Sequence, residues 1–167
     1  RATITEDPSP GSVLTRTNAL LGTRASRTMF STAFYMLVSR SQGTIRYASA
    51  GHNPVLLLTP GADTCIELGA TGIPLCVDSD WKYTGEDVPA PHGSLLVLYT
   101  DGLVEARCPD GEQFGLQRVK ELVVEHRARS VKEISSILNT QVDTWCRGST
   151  YMRDDVALVV VRVSVGD

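Results

Sequence analysis

Paired cysteines are missing from this sequence. Cys65, Cys76, Cys108 and Cys146 form no Cys-x-x-Cys and no Cys/His cluster. That excludes a structural zinc site and leaves four separate thiols that act as small apolar residues, as in a protein of the reducing cell interior. A charge excess is missing as well. Sixteen Lys and Arg stand against 19 Asp and Glu, a net charge of −3 with a pI near 5.6, so nucleic acid is not an expected partner. No apolar run is long enough to cross a bilayer, and no signal-peptide hydrophobic region opens the chain, so membrane insertion by this chain is not expected. Internal repeats and low-complexity tracts are absent. The chain starts at Arg1 rather than at methionine, as expected of a processed or excised piece of a longer protein.

What remains is the composition of a globular protein, 42% hydrophobic and 21% charged over 167 residues. That is one domain of ordinary size with a real core: a polar, proline-rich lead-in over 1–11 ("EDPSPG" within it) and a core over 12–167. Val13, Leu14, Thr17, Leu20 and Leu21 share one side of a helix expected to run to about Ala25. Ser26, Arg27 and Thr28 close it before Met29 and Phe30. Phe30 to Val38 and Thr44 to Gly51 then read as a hairpin. Val55 to Thr59 and Thr64 to Leu68 form a second one around Pro60-Gly61, and Trp81 to Val88 is a weaker, more exposed strand.

Further on, "SLLVLYTDGLVEA" (Ser94 to Ala106) places Leu95 to Tyr99 in a strand without polar alternation, so both faces are expected to be covered. Two helices follow Asp101. One carries an apolar stripe of Leu116, Val119, Leu122 and Val123. The other carries Val131, Ile134, Ile137, Leu138, Val142 and Trp145, opened by the capping-box pair Ser130 and Glu133. The chain closes in a β-branched strand, "DDVALVVVRVSV". Strands, then helices, then one last strand indicate an α+β fold in which two antiparallel sheets are sandwiched between helices.

Asp101-Gly102, taken alone, reads as a turn. A second reading comes from the last strand. Asp101 leaves one buried strand at its C-terminal end, while Asp154 and Asp155 enter another at its N-terminal end. If the two strands are antiparallel neighbours, the three carboxylates meet at one sheet edge, with only Arg153 nearby in sequence. Converging carboxylates repel, and a divalent cation relieves the repulsion. An all-oxygen site with few protein ligands suits Mg²⁺ or Mn²⁺.

"FSTAFYMLV", "IRYASAGHNPVLLL", "LGATGIPLCV", "LLVLYTDGLVEAR", "GEQFGLQRVKELV" and "DDVALVVVRV" follow one another in the order found in the SpoIIE-like branch of bacterial metal-dependent protein phosphatases. The chain resembles that branch, itself similar to eukaryotic protein phosphatase type 2C, from about Phe30 to Val163. The resemblance implies an α-β-β-α sandwich and a Mn²⁺ or Mg²⁺ two-metal centre. It also implies hydrolysis of phosphoserine or phosphothreonine by direct attack of metal-held water. Carried over by motif, Asp101 in "YTDG" and Asp154 in "RDD" are metal ligands. Gly102 is expected to let the backbone turn away beside the metals, and Asp155 either supports the ligands or caps the strand. His52 in "AGHNP" reads as a turn-bonding residue, "GATG" (Gly69 to Gly72) as a loop, and Glu105 as an exposed helix-start glutamate. No residue matches a general acid beyond water.

The resemblance further implies a cytoplasmic signalling enzyme. Its substrate is a phosphorylated STAS-type anti-anti-sigma protein in a pathway that controls transcription. An upstream sensory or receiver domain fits that setting, and a homodimer is left open. The family's bridging aspartate, from an N-terminal Asp-x-x-Gly-His-Gly-like segment, has no counterpart here, and Glu6 and Asp7 lack the required glycine. The expectation is therefore an N-terminally incomplete phosphatase domain that binds metal weakly. The alternative is an inactive phosphatase-like module that binds a STAS or kinase partner. Retention of Asp101 and Asp154 favours the first, because an abandoned site has no reason to keep repelling carboxylates together.

Overall fold

The computed structural model describes residues 7–23, 29–147 and 154–164. Glu6, Ala25, Ser26, Arg27, Thr28 and Arg153, all invoked above, lie outside the described residues. Among the described residues the chain is mixed α+β with two antiparallel sheets, as the sequence indicates, and four helices, of which the short one at Asp101 was not expected. It groups into two compact units. Among the described residues, one takes those up to 54 and those of 69–91, the other those of 55–68 and 92–164. Among the described residues no helix is long and apolar enough to cross a membrane.

The first unit holds helix α1 (Pro10–Gly22) and strands β1 (Ala33–Ser39), β2 (Thr44–Ala50) and β5 (Glu86–Pro89), in the order β1-β2-β5. The β1–β2 hairpin forms as expected, with Ala33 opposite Ala50 and Ser39 opposite Thr44. Phe34 stacks on Tyr47 at 5.3 Å between ring centroids. The expected strand at Trp81 shrinks to Glu86–Pro89, where Arg46 grips Asp87 through two bonds of 2.7 and 2.8 Å.

Helix α1 differs from expectation in the face it buries. Leu20 and Leu21 are 57% and 42% exposed, whereas Asn18 is fully buried beside Val13 and Leu14. A 3.6-residue repeat places residues 14 and 18 on one face, so the polar residue goes inward. There it is satisfied. Asn18 Nδ2 donates to the Asp78 carbonyl at 2.7 Å, and its Oδ1 accepts the Cys76 N–H at 2.8 Å. The helix sits close because Gly11 has no side chain. A Cβ there would lie 2.5 Å from the Tyr83 carbonyl oxygen.

Asp7 braces the approach to this helix, whose N-cap is Ser9. Its carboxylate accepts the Ser9 N–H at 2.9 Å and the hydroxyls of Ser9 and Ser12. The Ser12 hydroxyl above all, then Ser9, hold its pKa below the usual carboxylate range.

The second unit holds β3 (Val55–Leu58), β4 (Ile66–Leu68), β6 (Leu95–Tyr99) and β7 (Leu158–Arg162), in the order β4-β3-β6-β7. Helices α2 (Asp101–Val104), α3 (Leu116–Glu125) and α4 (Val131–Trp145) complete it. β6 is covered on both faces, since its successive residues Leu95, Leu96 and Val97 are each at most 1% exposed. One face of the sheet (Leu56, Leu58, Leu95, Val97, Tyr99) packs against Leu103, Phe114, Val119, Val123, Ile134, Leu138 and Val142 of the helical layer. The expected capping box is formed. Ser130 Oγ accepts the Glu133 N–H, and the Glu133 carboxylate accepts the Ser130 N–H at 3.0 Å. None of the four cysteines is in a disulfide. Burial, opposed by the Lys120 charge, pushes the Cys65 thiol up to about 11.

Asn18→Ala removes a fully buried side chain and takes from the Cys76 N–H its acceptor, while the Asp78 carbonyl keeps the Trp81 N–H, so it is expected to destabilise the protein by about 1–3 kcal/mol. A shift in urea midpoint with unchanged slope is the measurement that checks it.

Candidate metal edge

The site is built by one strand pairing. β6 and β7 run antiparallel, with Leu95 opposite Arg162 and Tyr99 opposite Leu158. The C-terminal end of β6 therefore lies beside the N-terminal approach to β7, as the sequence predicts. Thr100 joins the two just beyond the ladder. Its N–H donates to the Ala157 carbonyl at 3.0 Å and its hydroxyl donates to the Asp155 carbonyl at 3.0 Å. The same Oγ1 accepts the Ala157 N–H at 2.9 Å. Sequence reading missed Thr100. The signal was present in its type, because a threonine between a buried strand and an Asp-Gly pair sits at a helix N-cap position.

Asp101 does not lie in a turn. It is the first residue of α2, with Thr100 as N-cap and the Glu105 N–H returning to the Asp101 carbonyl at 2.8 Å. Glu105 thus closes this short helix rather than opening one, a correction to the expectation. Gly102 is corrected in the same way. Its role is close approach, not a change of direction. A Cβ on Gly102 would lie 2.5 Å from the Asp155 carbonyl oxygen and 2.8 Å from that of Asp154, closer than any real Cβ contact. The bare Cα lets the Asp101 helix rest directly on the 154–155 backbone.

Each of the two aspartates uses Oδ1 locally. Asp101 Oδ1 accepts the Gly102 N–H at 2.9 Å, and Asp154 Oδ1 accepts the Asp155 N–H at 2.8 Å. Both residues are exposed, and among the described residues no lysine, arginine or histidine is ion-paired with either. Each retains Oδ2 for a ligand in water. A hard divalent cation takes such carboxylate oxygens and fills its remaining positions with water. The donor chemistry therefore fits Mg²⁺ or Mn²⁺ through Asp101 and Asp154.

The expected convergence of three carboxylates does not occur. Among the described residues no group of three His, Cys, Asp or Glu side chains is placed to hold a metal. Asp155 takes part through its backbone, as carbonyl acceptor for Thr100 and as N–H donor to Asp154. Tyr99, just inside the edge, keeps its proton, because burial and then the Glu67 charge push its pKa up to about 12. His52, in the other unit, has its Nδ1 3.5 Å from the Thr32 hydroxyl and its ring tilted on Phe34 at 6.3 Å. The "GATG" loop lies at the end of β2, where the Thr71 and Gly72 N–H groups both donate to the Ser49 carbonyl.

The fold around this edge is that of protein phosphatase type 2C-like domains. It superposes on the SiaA-PP2C domain of Pseudomonas aeruginosa with a TM-score of 0.82 at 20% identity, covering 96% of this chain and 64% of that one. It superposes on the phosphatase domain of SpoIIE from Bacillus subtilis, presoaked with Mn, with a TM-score of 0.68 at 19% identity, covering 93% and 67%. The sequence model of Stage II sporulation protein E (SpoIIE) matches residues 1–164, and the chain belongs to that family. It is 30% identical over 163 residues to phosphoserine phosphatase RsbU of Bacillus subtilis, covering 93% of this chain and 46% of RsbU. The chain thus spans about half the length of that relative.

Gly102→Ala forces the two backbones apart and is expected to destabilise the protein by about 1–3 kcal/mol, as overpacking does. Thermal melting beside Gly61→Ala checks it. Gly61 has open space around its Cα but a φ of +78°, so its cost is the smaller one of a strained turn alone.

Proposed function

We propose that this chain belongs to a metal-dependent protein phosphatase acting on phosphoserine or phosphothreonine, with Asp101 and Asp154 as metal ligands. The observation that carries the reading is the contact of Gly102 with the 154–155 backbone, which brings two unpaired aspartates to one rigid sheet edge. Family membership and the likeness to RsbU, a phosphoserine phosphatase by name, support it. Asp101 and Asp154 would hold Mn²⁺ or Mg²⁺ there, and metal so held would supply Lewis-acid stabilisation of a phosphoryl group and a bound water of lowered pKa. The chain's part is to hold carboxylate oxygens fixed. Thr100 and Gly102 orient the two acids from behind, and Asp155 locks the second of them through its N–H. Tyr99 stays neutral and out of the proton transfers. Protonation of the departing serine oxygen falls to water.

The substrate of this reading is a phosphorylated STAS-type anti-anti-sigma protein in the cytoplasm, within a partner-switching pathway. The RsbU likeness supports that setting. A second reading is favoured by the count of two side-chain donors rather than three among the described residues. In it, the chain binds a STAS or kinase partner without hydrolysis.

The two readings separate in one experiment. In the full-length protein, Asp101→Asn and Asp154→Asn are each expected to lower Mn²⁺-dependent dephosphorylation of a phospho-STAS protein by more than about a hundredfold. Calorimetric titration of Mn²⁺ should show saturable binding that both variants lose. Partner binding that ignores chelator and survives both substitutions, with no turnover in the unsubstituted protein, would decide for the second reading.

A further inference from the structure

Away from the metal edge, the second unit carries an open groove of about 510 Å³ between α3, α4 and the loop before α3. Its floor is aromatic. Phe114 and Trp145 meet edge to face, 5.9 Å between centroids at 73°. The indole is fixed by its Nε1–H, which donates to the Glu112 carbonyl at 3.1 Å. Arg118 lies over the indole at 4.2 Å, donates to the Phe114 carbonyl at 2.8 Å and pairs with Glu112 at 2.8 Å. These bonds occupy Arg118 and Glu112 with each other and with the scaffold.

The rest of the rim is acidic. Glu121 and Glu125 stand one turn apart on α3, both exposed, and Asp110 stands on the loop. Nearby Arg118 pairs with Glu112, and Lys120 pairs with Glu67. Glu121 accepts the Gln117 amide at 2.9 Å, and Glu125 lies 3.9 Å from His126. Among the described residues none of the three is ion-paired with lysine or arginine. Among the described residues of the lining, Arg147 is the one other cation. The loop is also set in place beforehand. The Cys108 N–H donates to the Glu112 carbonyl at 3.0 Å, the Gly111 N–H returns to the Cys108 carbonyl at 2.8 Å, and Arg107 donates to the Gly111 carbonyl at 2.7 Å.

We propose that this groove docks a basic segment of a partner protein. An apolar side chain of that segment lies on Leu122 beside the Arg118-covered indole of Trp145, while flanking lysine or arginine side chains meet Glu121, Glu125 and Asp110. The aromatic floor supplies contact area that needs no ordering on binding, and the acidic rim supplies the sign of the partner. Nothing in this assignment depends on hydrolysis at the metal edge.

The test uses Trp145 as its own reporter, in a Trp81→Phe background that leaves one indole. The probe is an acetylated, amidated peptide of alternating Leu, Lys and Arg, titrated beside a control with Glu in place of each cation. Saturable change in Trp145 emission with the basic peptide, weakened by added salt, is expected. Glu121→Gln/Glu125→Gln should weaken it by about tenfold or more. Both positions are exposed and the change is isosteric, so circular dichroism should confirm an unaltered fold. Equal binding of the acidic peptide, unchanged affinity in the double variant, or the same emission change from spermidine at equal charge would each overturn the proposal.

Discussion

The antiparallel pairing of β6 with β7 is the constraint on which the rest of the site depends. Five ladder positions fix which residues meet at the end. The three bonds of Thr100 carry that register past the last paired residue. Were the register to slip by one, every side chain of β7 would change face, and residues 154 and 155 would no longer face a bare Cα. Gly102 is the complement of that register. It permits an approach that any side chain would block, so the helical turn carrying Asp101 and the segment carrying Asp154 form one rigid body. Rigidity of this kind is what a metal ligand set needs, since a carboxylate that must be ordered on binding gives up affinity.

The far end of the same pairing is held just as firmly. Gly93 N–H donates to the Val163 carbonyl and Val163 N–H to the Ser94 carbonyl, each at 2.8 Å. Arg162 donates to the carbonyls of Arg127 and Arg129 at 2.9 and 2.7 Å, where the chain leaves α3. A cation there also complements the negative end of the helix dipole. The last strand is therefore tied at one end to the acidic edge and at the other to the helical layer. Between them, Val97 and Leu95 pack directly on that layer.

Much of this was legible in the sequence, for reasons that can be named. The β6 stretch is apolar without alternation, which only a strand covered on both faces explains. Asp101 and Asp154 flank two such strands in mirror-image positions, so antiparallel pairing places them together. Ser130 and Glu133 announce a helix start by chemistry that acts over three residues. What was not legible depends on tertiary contact. The inward turn of Asn18 cannot be read from periodicity, because Leu20 and Leu21 offer a more apolar face and only the Cys76–Asp78 segment repays the buried amide. Nor can the role of Gly102, since Asp-Gly has the same composition whether it turns the chain or lies beneath another strand. The place of Asp155 was not legible either, because residues 154–157 precede β7 outside its ladder, where strand alternation does not fix which way a side chain points.

The residues of the acidic edge are far apart along the chain. Thr100 and Ala157 are separated by 57 positions, and both long helices of the unit lie between them. During synthesis a chain emerges N-terminal part first, so Asp101 leaves the ribosome long before its counterpart exists. The edge can form only once α3 and α4 have been made and β7 has zipped onto β6, a non-local step of the kind that comes late in folding. A nascent or interrupted chain thus carries Asp101 without Asp154 beside it. On the proposed reading of this edge, order of assembly alone keeps incomplete molecules from competing for metal.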